Sequence, residues 1–238
     1  MEGLEPLALT HDGVALEGYV ARPEGKGPFP AVIVYHSGMG LKRFECDKAK
    51  AMAKLGYLGI VADMFGLDAR NIQPGDLSAY EQLRARDELL RARVALWFDT
   101  VAALPDVDAA RIGAFGFCMG GSCVLELARS GRDAKAVVSY HGVLTTHEAA
   151  KKGTVKPVVA AYCGLEDPYA PADTIRALHD ELSAADAQFH IVEFAHVGHS
   201  FTHPEASSFN MPGIAYDAVA DAVSWAGTLA LFEATLQG

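Results

Sequence analysis

The sequence predicts a single-domain α/β fold, with a mostly parallel sheet, helices on both faces and an N-terminal antiparallel hairpin. Three observations lead to this prediction. Short, wholly apolar segments alternate along the chain with segments of helical spacing. An Asp-Gly turn near the start separates two segments of alternating polarity. Glycine and proline are scattered and never form a linker, so residues 1–238 are expected to form one domain.

The first elements combine a hairpin with the beginning of a parallel sheet. Leu4–Thr10 and Val14–Ala21 flank the Asp-Gly turn and predict a β-hairpin at the sheet edge. Ala31–Tyr35 (AVIVY) is short and wholly apolar, as expected of a strand covered on both faces. Glu45–Lys54 has helical spacing, and Tyr57–Ala62 predicts the next buried strand.

The rest of the chain continues the alternation of strand and helix. The further predicted strands are Arg111–Phe117, Ala136–Tyr140, Val158–Cys163 and His190–Phe194. The further predicted helices are Leu77–Leu104, Cys118–Ser130, Thr174–Leu182 and Ile214–Leu236. Strands joined through helices form a parallel sheet, and ligands of such sheets bind beyond the carboxyl ends of the strands. Candidate catalytic residues should therefore follow strands.

The charge balance argues against nucleic acid as a partner. The chain has 20 lysines and arginines against 30 acidic residues, a formal net charge of −10, whereas nucleic-acid binding requires clustered cations. The densest basic stretch lies within the predicted helix 77–104 and contains Arg84, Arg86, Arg91 and Arg93. A solvated helix face with i,i+4 ion pairs is the favoured interpretation, and an anion-binding patch is the alternative.

The termini and cysteines bear on location and cofactors. The N-terminal residues lack the basic start and apolar core of a signal peptide, and no stretch approaches the roughly 20 apolar residues of a membrane span. The four cysteines show neither CxxC nor metal-ligand spacing, so thiols are expected rather than disulfides or a metal site. We therefore expect a cytoplasmic monomer or homodimer with no membrane partner, metal or organic cofactor.

A glycine-rich turn carries the candidate nucleophile. Residues 113–121 (GAFGFCMGG) have the strand, G-x-nucleophile-x-G, helix form of a nucleophile elbow, with Cys118 as the nucleophile. Side chains at Gly116 or Gly120 would crowd such a turn. The amides of the following helix favour thiolate over thiol. The alternative is a buried structural cysteine, and phosphate binding is disfavoured because no Lys-Ser/Thr pair follows the glycines.

The candidate base and acid come later in the chain. His199 lies in a glycine-bearing loop after the last predicted strand, where this type of triad places its histidine. His196 and His203 are its rivals. Asp167 follows the strand Val158–Cys163 and can orient the histidine ring. Glu166 competes with it, and a plain turn residue before proline is the remaining alternative.

Four motifs, taken together and in order, carry a family resemblance that spans the chain from Ala31 to Phe201. They are Ala62–Gly66 (ADMFG), Gly116–Gly121 (GFCMGG), Gly164–Asp167 (GLED) and Gly198–Phe201 (GHSF). The set resembles the dienelactone hydrolase family of α/β-hydrolases. The resemblance implies an oxyanion hole formed by the backbone amides of Met119 and Gly38. It also implies that Tyr140 lines the pocket, and a core aromatic at the strand end is the alternative for Tyr140.

Two positions depart from the family pattern. The family prototype, which hydrolyses muconate-derived lactones, has at the position of Ser37 a glutamate that contacts the resting thiol. At the position of His203 it has an arginine that grips the substrate carboxylate, and imidazole does not replace a bidentate guanidinium. A second family arginine corresponds to one of the four arginines named above. The resemblance therefore implies hydrolase chemistry more strongly than a dienelactone substrate.

The expected activity is two-step hydrolysis of a small carboxylic ester or enol lactone through a thioester intermediate. Cys118 would attack, His199 would act as base and Asp167 would orient it. Ser37, Tyr140 and His203 are the candidate pocket residues. A thioesterase or acyl transferase on the same fold is one alternative. A catalytically silent protein that binds a small ligand is the other.

Overall fold

The computed structural model, which describes residues 2–70 and 76–237, contains one eight-stranded sheet. The strands are β1 Glu5–His11, β2 Val14–Ala21, β3 Phe29–Tyr35, β4 Leu58–Ala62, β5 Val107–Phe117, β6 Ala136–Tyr140, β7 Val158–Gly164 and β8 Phe189–Phe194. The helices are α1 Arg43–Lys54, α2 Ser78–Arg84, α3 Asp87–Ala102, α4 Met119–Arg129, α5 Ala172–Ala184 and α6 Ala218–Leu236, with short 3-10 turns at Leu67–Ala69 and Ala206–Phe209.

The sheet has the order β1-β2-β4-β3-β5-β6-β7-β8. The hairpin β1–β2 joins β4 in antiparallel pairing, and every pair from β4 to β8 is parallel. The α/β fold with an antiparallel N-terminal hairpin is therefore confirmed. The chain runs from β3 to β4 on one side and then returns to place β5 on the other side of β3. This reversal opens a crevice beyond the carboxyl ends of β3 and β5.

Helices cover both faces of the sheet and enclose two apolar cores. One core packs α3, α4 and α5 against the sheet, with the fully buried Trp97 among its largest side chains. The other packs α1 and α6 against the opposite face, around Phe115 and Phe232. The central strands are apolar at almost every position because both of their faces are covered.

The long helix predicted over Leu77–Leu104 is wrong in one respect, because it is two helices. The helices α2 and α3 meet at Ala85 and Arg86, and the backbone of Arg86 (φ −130°, ψ 70°) leaves the helical region. Beside the break, Arg86 forms an ion pair with Asp12, and the side chain of Leu83 is buried in the core. Helical periodicity does not detect such a break, since both helices present apolar residues to the same core.

The closing helix is also shorter at its start than the predicted Ile214–Leu236. It begins at Ala218 because the Asp217 side chain accepts hydrogen bonds from the amides of Val219 and Ala220, which caps the helix. Ile214 instead pairs in parallel with His199. The segment before α6 therefore supports the loop that carries the candidate base. Smaller differences are that β5 begins at Val107 rather than Arg111 and that α5 spans Ala172–Ala184 rather than Thr174–Leu182.

Two of the clustered arginines bond to groups beyond their own helix. Arg91 pairs with Glu126 and Glu148, which lie on other elements. Arg93 is buried and donates to the Met64 carbonyl at 2.6 Å, so its assignment to a solvated face was wrong. A helix of an α/β fold packs against neighbours on several sides, and those neighbours supply the partners.

Two further expectations concern membranes and disulfides. Over residues 2–70 and 76–237, no helix combines the length and the apolar character needed to cross a bilayer. All four cysteines lie within these ranges, and none of them forms a disulfide there.

Candidate active site

Cys118 occupies a sharp turn between β5 and α4. Its backbone angles are φ 54° and ψ −114°, a region that non-glycine residues rarely adopt. A side chain at position 116 would collide with the backbone of Gly120, and one at 120 with the Tyr35 carbonyl. The two glycines are therefore needed for close approach of α4 to β5 and β3. The strained turn holds a partly exposed Cys118 at the mouth of the crevice.

His199 and Asp167 form a buried pair beside this turn. The imidazole Nδ1 of His199 donates to Oδ2 of Asp167 at 2.7 Å, and the two side chains are 3% and 0% exposed. The other carboxylate oxygen accepts from the Tyr169 amide at 2.7 Å, which holds it in place. Since Nδ1 carries the proton, Nε2 is left to act on the sulfur.

The Cys118 thiol interacts electrostatically with His199 and with the backbone amides of Gly38 and Met119. Burial by itself raises the pKa of the Cys118 thiol, but the charge and hydrogen bond of His199, together with the two amides, lower it below its ordinary value. Burial likewise lowers the pKa of His199, but Cys118 and Asp167 raise it to about 10. These directions favour a thiolate–imidazolium pair at neutral pH.

Gly38 lies in the loop that follows β3, and Met119 is the first residue of α4. Both amides lower the pKa of the Cys118 thiol, so the loop after β3 and the start of α4 meet at this residue. The hydroxyl of the neighbouring Ser37 accepts from the Met39 amide at 3.3 Å. A buried carboxylate, that of Glu45, accepts from the Ser37 amide at 3.4 Å and braces the loop.

The rivals considered for base and acid lie outside the cluster. His196 and Glu166 bond to each other at 3.0 Å on the surface, where their side chains are 91% and 62% exposed. His203 is half-buried and packs its ring on Phe44 at 4.7 Å, and burial lowers its pKa. Of these candidates, only Asp167 and His199 come together with Cys118.

The resemblance implied that Tyr140 lines the pocket, with a core aromatic at the strand end as the alternative, and the structure places its side chain in the core. Its side chain is fully buried and stacks between Phe117 and Tyr162, at ring separations of 5.0 and 5.6 Å. Its hydroxyl bonds to Thr228 of α6, within the core. Side chains alternate between the two faces of a strand, and position 140 faces α6. The backbone of Tyr140 does contribute, since its carbonyl accepts from the Cys118 amide at 3.0 Å.

Two residues that the sequence analysis did not single out lie at the site. His141 follows β6 directly, is buried, and places its ring 5.0 Å from that of His199. Its position after a strand was a signal for it. Tyr80 of α2 packs close to Gly38 and interacts electrostatically with Cys118. Its position depends on the break between α2 and α3, so no sequence signal identified it.

A small cavity adjoins the Met119 end of the site. Its walls include Tyr80, Leu83, Leu90, Met119 and Val143. Arg84 also lines it and donates to the Tyr80 hydroxyl at 3.1 Å. Among the four arginines of the basic stretch, it is Arg84 that faces this space. Polar side chains complete the walls, among them Ser122, Glu126 and Thr146, so the recess beside the Cys118 thiol is of mixed polarity.

Known proteins resemble this chain over most of its length. The chain is 33% identical to a dienelactone hydrolase-like promiscuous phosphotriesterase from metagenomic libraries, with a TM-score of 0.92 and 98% of each chain covered. It is 25% identical to the carboxymethylenebutenolidase of Pseudomonas putida, over 84% of this chain and 86% of that protein. Its fold also matches a dienelactone hydrolase of Anabaena variabilis at 20% identity, with a TM-score of 0.66 and 99% and 100% of the two chains covered.

The family model for dienelactone hydrolases matches residues 16–236, which include both the strand after the hairpin and the last helix. The matched span contains the elbow at Cys118, the loop of Asp167 and the loop of His199. The chain therefore belongs to the dienelactone hydrolase family.

Proposed function

We propose that this member of the hydrolase family cleaves small carboxylic esters or enol lactones through a Cys118–His199–Asp167 triad. The observation that supports this most directly is the buried pair of His199 and Asp167, joined at 2.7 Å, together with the electrostatic interaction of His199 with the Cys118 thiol. Directions of the pKa shifts at Cys118 and His199 agree with a nucleophile ionised before substrate arrives.

In the first step the thiolate attacks the ester carbonyl carbon and a carbon–sulfur bond forms. The electron pair of the carbonyl moves to its oxygen, where the amides of Gly38 and Met119 stabilise the charge, each by about 3 kcal/mol. The tetrahedral intermediate then expels the alkoxide or enolate, which takes the proton of the His199 imidazolium. The product of this step is a thioester on Cys118.

In the second step water cleaves the thioester. Neutral His199 takes a proton from the attacking water, and the Asp167 carboxylate stabilises the imidazolium that results. Collapse of the second tetrahedral intermediate releases the carboxylic acid and restores the thiolate–imidazolium pair. Cysteine attacks unactivated esters less effectively than an activated serine does. Substrates with good leaving groups, such as enol lactones and aryl esters, therefore suit this site.

The test compares wild type with Cys118→Ala on an activated aryl ester. Hydrolysis by Cys118→Ala should fall to the background rate, whereas Cys163→Ala should retain activity because its thiol is buried and its pKa is raised to about 12. Equal rates for wild type and Cys118→Ala would mean that the protein binds small molecules or acts by another route. An acyl transferase would instead convert the ester to a new thioester when an acceptor thiol is added.

A second candidate activity is the hydrolysis of activated phosphotriesters. The similarity to the metagenomic phosphotriesterase, at 33% identity over 98% of the chain, favours it. The same thiolate would attack phosphorus, expel an aryloxide that takes the proton of His199, and be released by water. Turnover of an aryl phosphotriester that disappears in Cys118→Ala would support it, and a single stoichiometric burst without turnover would limit the protein to carboxylic esters.

A further inference from the structure

His141 links two loops of the site through its two ring nitrogens. The Cys118 amide is shared between the Tyr140 carbonyl at 3.0 Å and Nδ1 of His141 at 3.2 Å, and Nε2 lies 2.8 Å from the hydroxyl oxygen of Thr202. An amide N–H only donates, so Nδ1 is the acceptor and the ring proton lies on Nε2. This neutral tautomer donates to Thr202 and accepts from Cys118 at the same time.

The surroundings of His141 leave the ring little freedom. His141 is 2% exposed and Thr202 is 1% exposed. The ring meets those of His199 and Phe201 edge-on, at 5.0 and 5.1 Å. The backbone of His141 has φ 38°, which is unusual for a residue with a side chain. The His141 imidazole is therefore buried, bonded through both ring nitrogens and carried on a strained backbone.

The two partners explain what the ring does. Cys118 belongs to the turn after β5, and Thr202 lies three positions beyond His199 on the loop after β8. These loops come from strands that are not neighbours in the sheet, since β6 and β7 lie between them. No strand pairing therefore sets the separation of Cys118 from His199 directly. The ring of His141, on the loop after β6, spans the gap.

We propose that His141 is a positioning residue that sets the distance between the Cys118 sulfur and the His199 ring. This rests on the proposed triad, because it concerns how that triad is held together. Only the neutral ring performs this role, since a proton on Nδ1 would face the Cys118 N–H. Burial, and after it the neighbouring charge of His199, hold the pKa of His141 well below its ordinary value, so the ring stays neutral.

The experiment removes the Thr202 hydroxyl, which bonds to Nε2 of His141, and leaves the three triad residues unchanged. Thr202→Val deletes the hydroxyl, and Thr202→Ser restores it. Thr228→Val is the matched control, since it removes another buried hydroxyl that bonds to Tyr140 and Ser224, away from the sulfur. The rate of Cys118 alkylation by iodoacetamide is measured against pH for each variant, and kcat and KM are measured with an activated aryl ester.

Thr202→Val should raise the pH midpoint of Cys118 alkylation and lower kcat by about tenfold to a hundredfold, with KM nearly unchanged. Thr202→Ser should recover the wild-type alkylation profile. Thr228→Val should lower the melting temperature without moving that profile. A Thr202→Val profile that superimposes on wild type would overturn the proposal.

Alkylation does not require ester hydrolysis, so this result stands apart from the test of the proposed function. Loss of hydrolysis in Cys118→Ala decides the function, and the alkylation midpoint decides the role of His141. If Thr202→Val does not fold, Thr202→Ala removes the same hydroxyl with less bulk and takes its place. An unchanged midpoint in that variant overturns the proposal equally.

Discussion

At the scale of single residues, neighbours in sequence have opposite environments. Glu166 and Asp167 are adjacent, yet Glu166 bonds to an exposed histidine while Asp167 is buried against His199. The same contrast separates His196 from His199. Residue type and position in the chain did not separate these pairs, because both members follow the same strand. Burial separates the members of each pair, and it determines which carboxylate can hold an imidazole in one orientation.

A prediction at this scale uses the two acids as a matched pair. Asp167→Asn should lower kcat for an activated aryl ester by at least about tenfold, because an amide favours the wrong tautomer of His199 and does not stabilise its charge. Glu166→Gln should change kcat less than twofold, since its surface pair with His196 does not touch the site. Steady-state kinetics of both variants provide the measurement. Equal losses in the two would contradict the assignment of the acid.

At the scale of elements, the helix α4 is positioned by the absence of side chains. A Cβ on Gly120 would overlap the Tyr35 carbonyl at the end of β3, whereas one on Gly38 would make ordinary contacts of 3.5 Å and more with Tyr80 and Leu77. Position 120 therefore has to be glycine for packing. At position 38 the backbone amide interacts with Cys118, and the space around it accommodates a small side chain.

Substitution should expose this difference. Gly120→Ala should destabilise the fold by about 2 kcal/mol or more, because α4 has to move away from β3. Gly38→Ala should leave the unfolding free energy within about 0.5 kcal/mol of wild type. Urea unfolding of both variants is the measurement, and a Gly120→Ala protein as stable as wild type would show that α4 tolerates displacement.

The loop after β3 depends on a buried acid in α1. Glu45 is 2% exposed, and its carboxylate accepts hydrogen bonds from the Ser37 and Lys42 amides at 3.4 and 3.1 Å. Burial raises the pKa of Glu45 to about 7, against the backbone hydrogen bonds that lower it. The folded state thus binds a proton more tightly than the unfolded chain does.

The pH dependence of stability follows from this. The contribution of Glu45 to stability is fully present below the unfolded pKa of about 4.5 and is lost as the pH rises through about 7. Glu45→Gln lacks this loss, so its unfolding free energy relative to wild type should rise between pH 4.5 and 7, by up to about 3 kcal/mol. Urea unfolding at several pH values measures the slope. A constant difference would mean that folding does not shift the pKa of Glu45.

At the scale of the whole molecule, an ion-pair network joins helices that the sheet alone does not connect. Arg129 of α4 bonds to Glu126 at 2.9 Å and to Glu181 of α5 at 2.7 Å, and its side chain is 2% exposed. Arg91 of α3 shares Glu126. Removing one partner of a buried pair leaves the other charge uncompensated.

Two arginines near the end of α4, one buried and one on the surface, allow the contributions of a buried and an exposed ion pair to stability to be compared. Arg129→Ala should lower the unfolding free energy by about 3–5 kcal/mol. Arg132→Ala should cost about 1 kcal/mol or less, because its bidentate pair with Asp99 lies on the surface. Denaturant unfolding distinguishes the two, and similar small losses would show that Arg129 is replaced by water on truncation.

Patterns among residues close in sequence were enough to predict most of the fold and the place of the elbow. The Asp-Gly turn, the apolar strands and the glycines around Cys118 each depend on residues close in sequence, and they predicted the hairpin, the parallel sheet and the elbow. The position of Asp167 and His199 after strands followed from the same pattern, since carboxyl ends of parallel strands meet at one edge. Their catalytic roles stay predictions.

Only the tertiary structure decided the break between α2 and α3, the burial of Arg93, the place of Tyr140 in the core, and the ring of His141 between two loops. Each depends on contacts between residues far apart in the chain. Periodicity reports which face of an element is apolar, but it does not report which neighbour that face meets. The contacts around Cys118 therefore became visible only in the packed structure, whereas the glycines of the sequence had already singled out Cys118 as the candidate nucleophile.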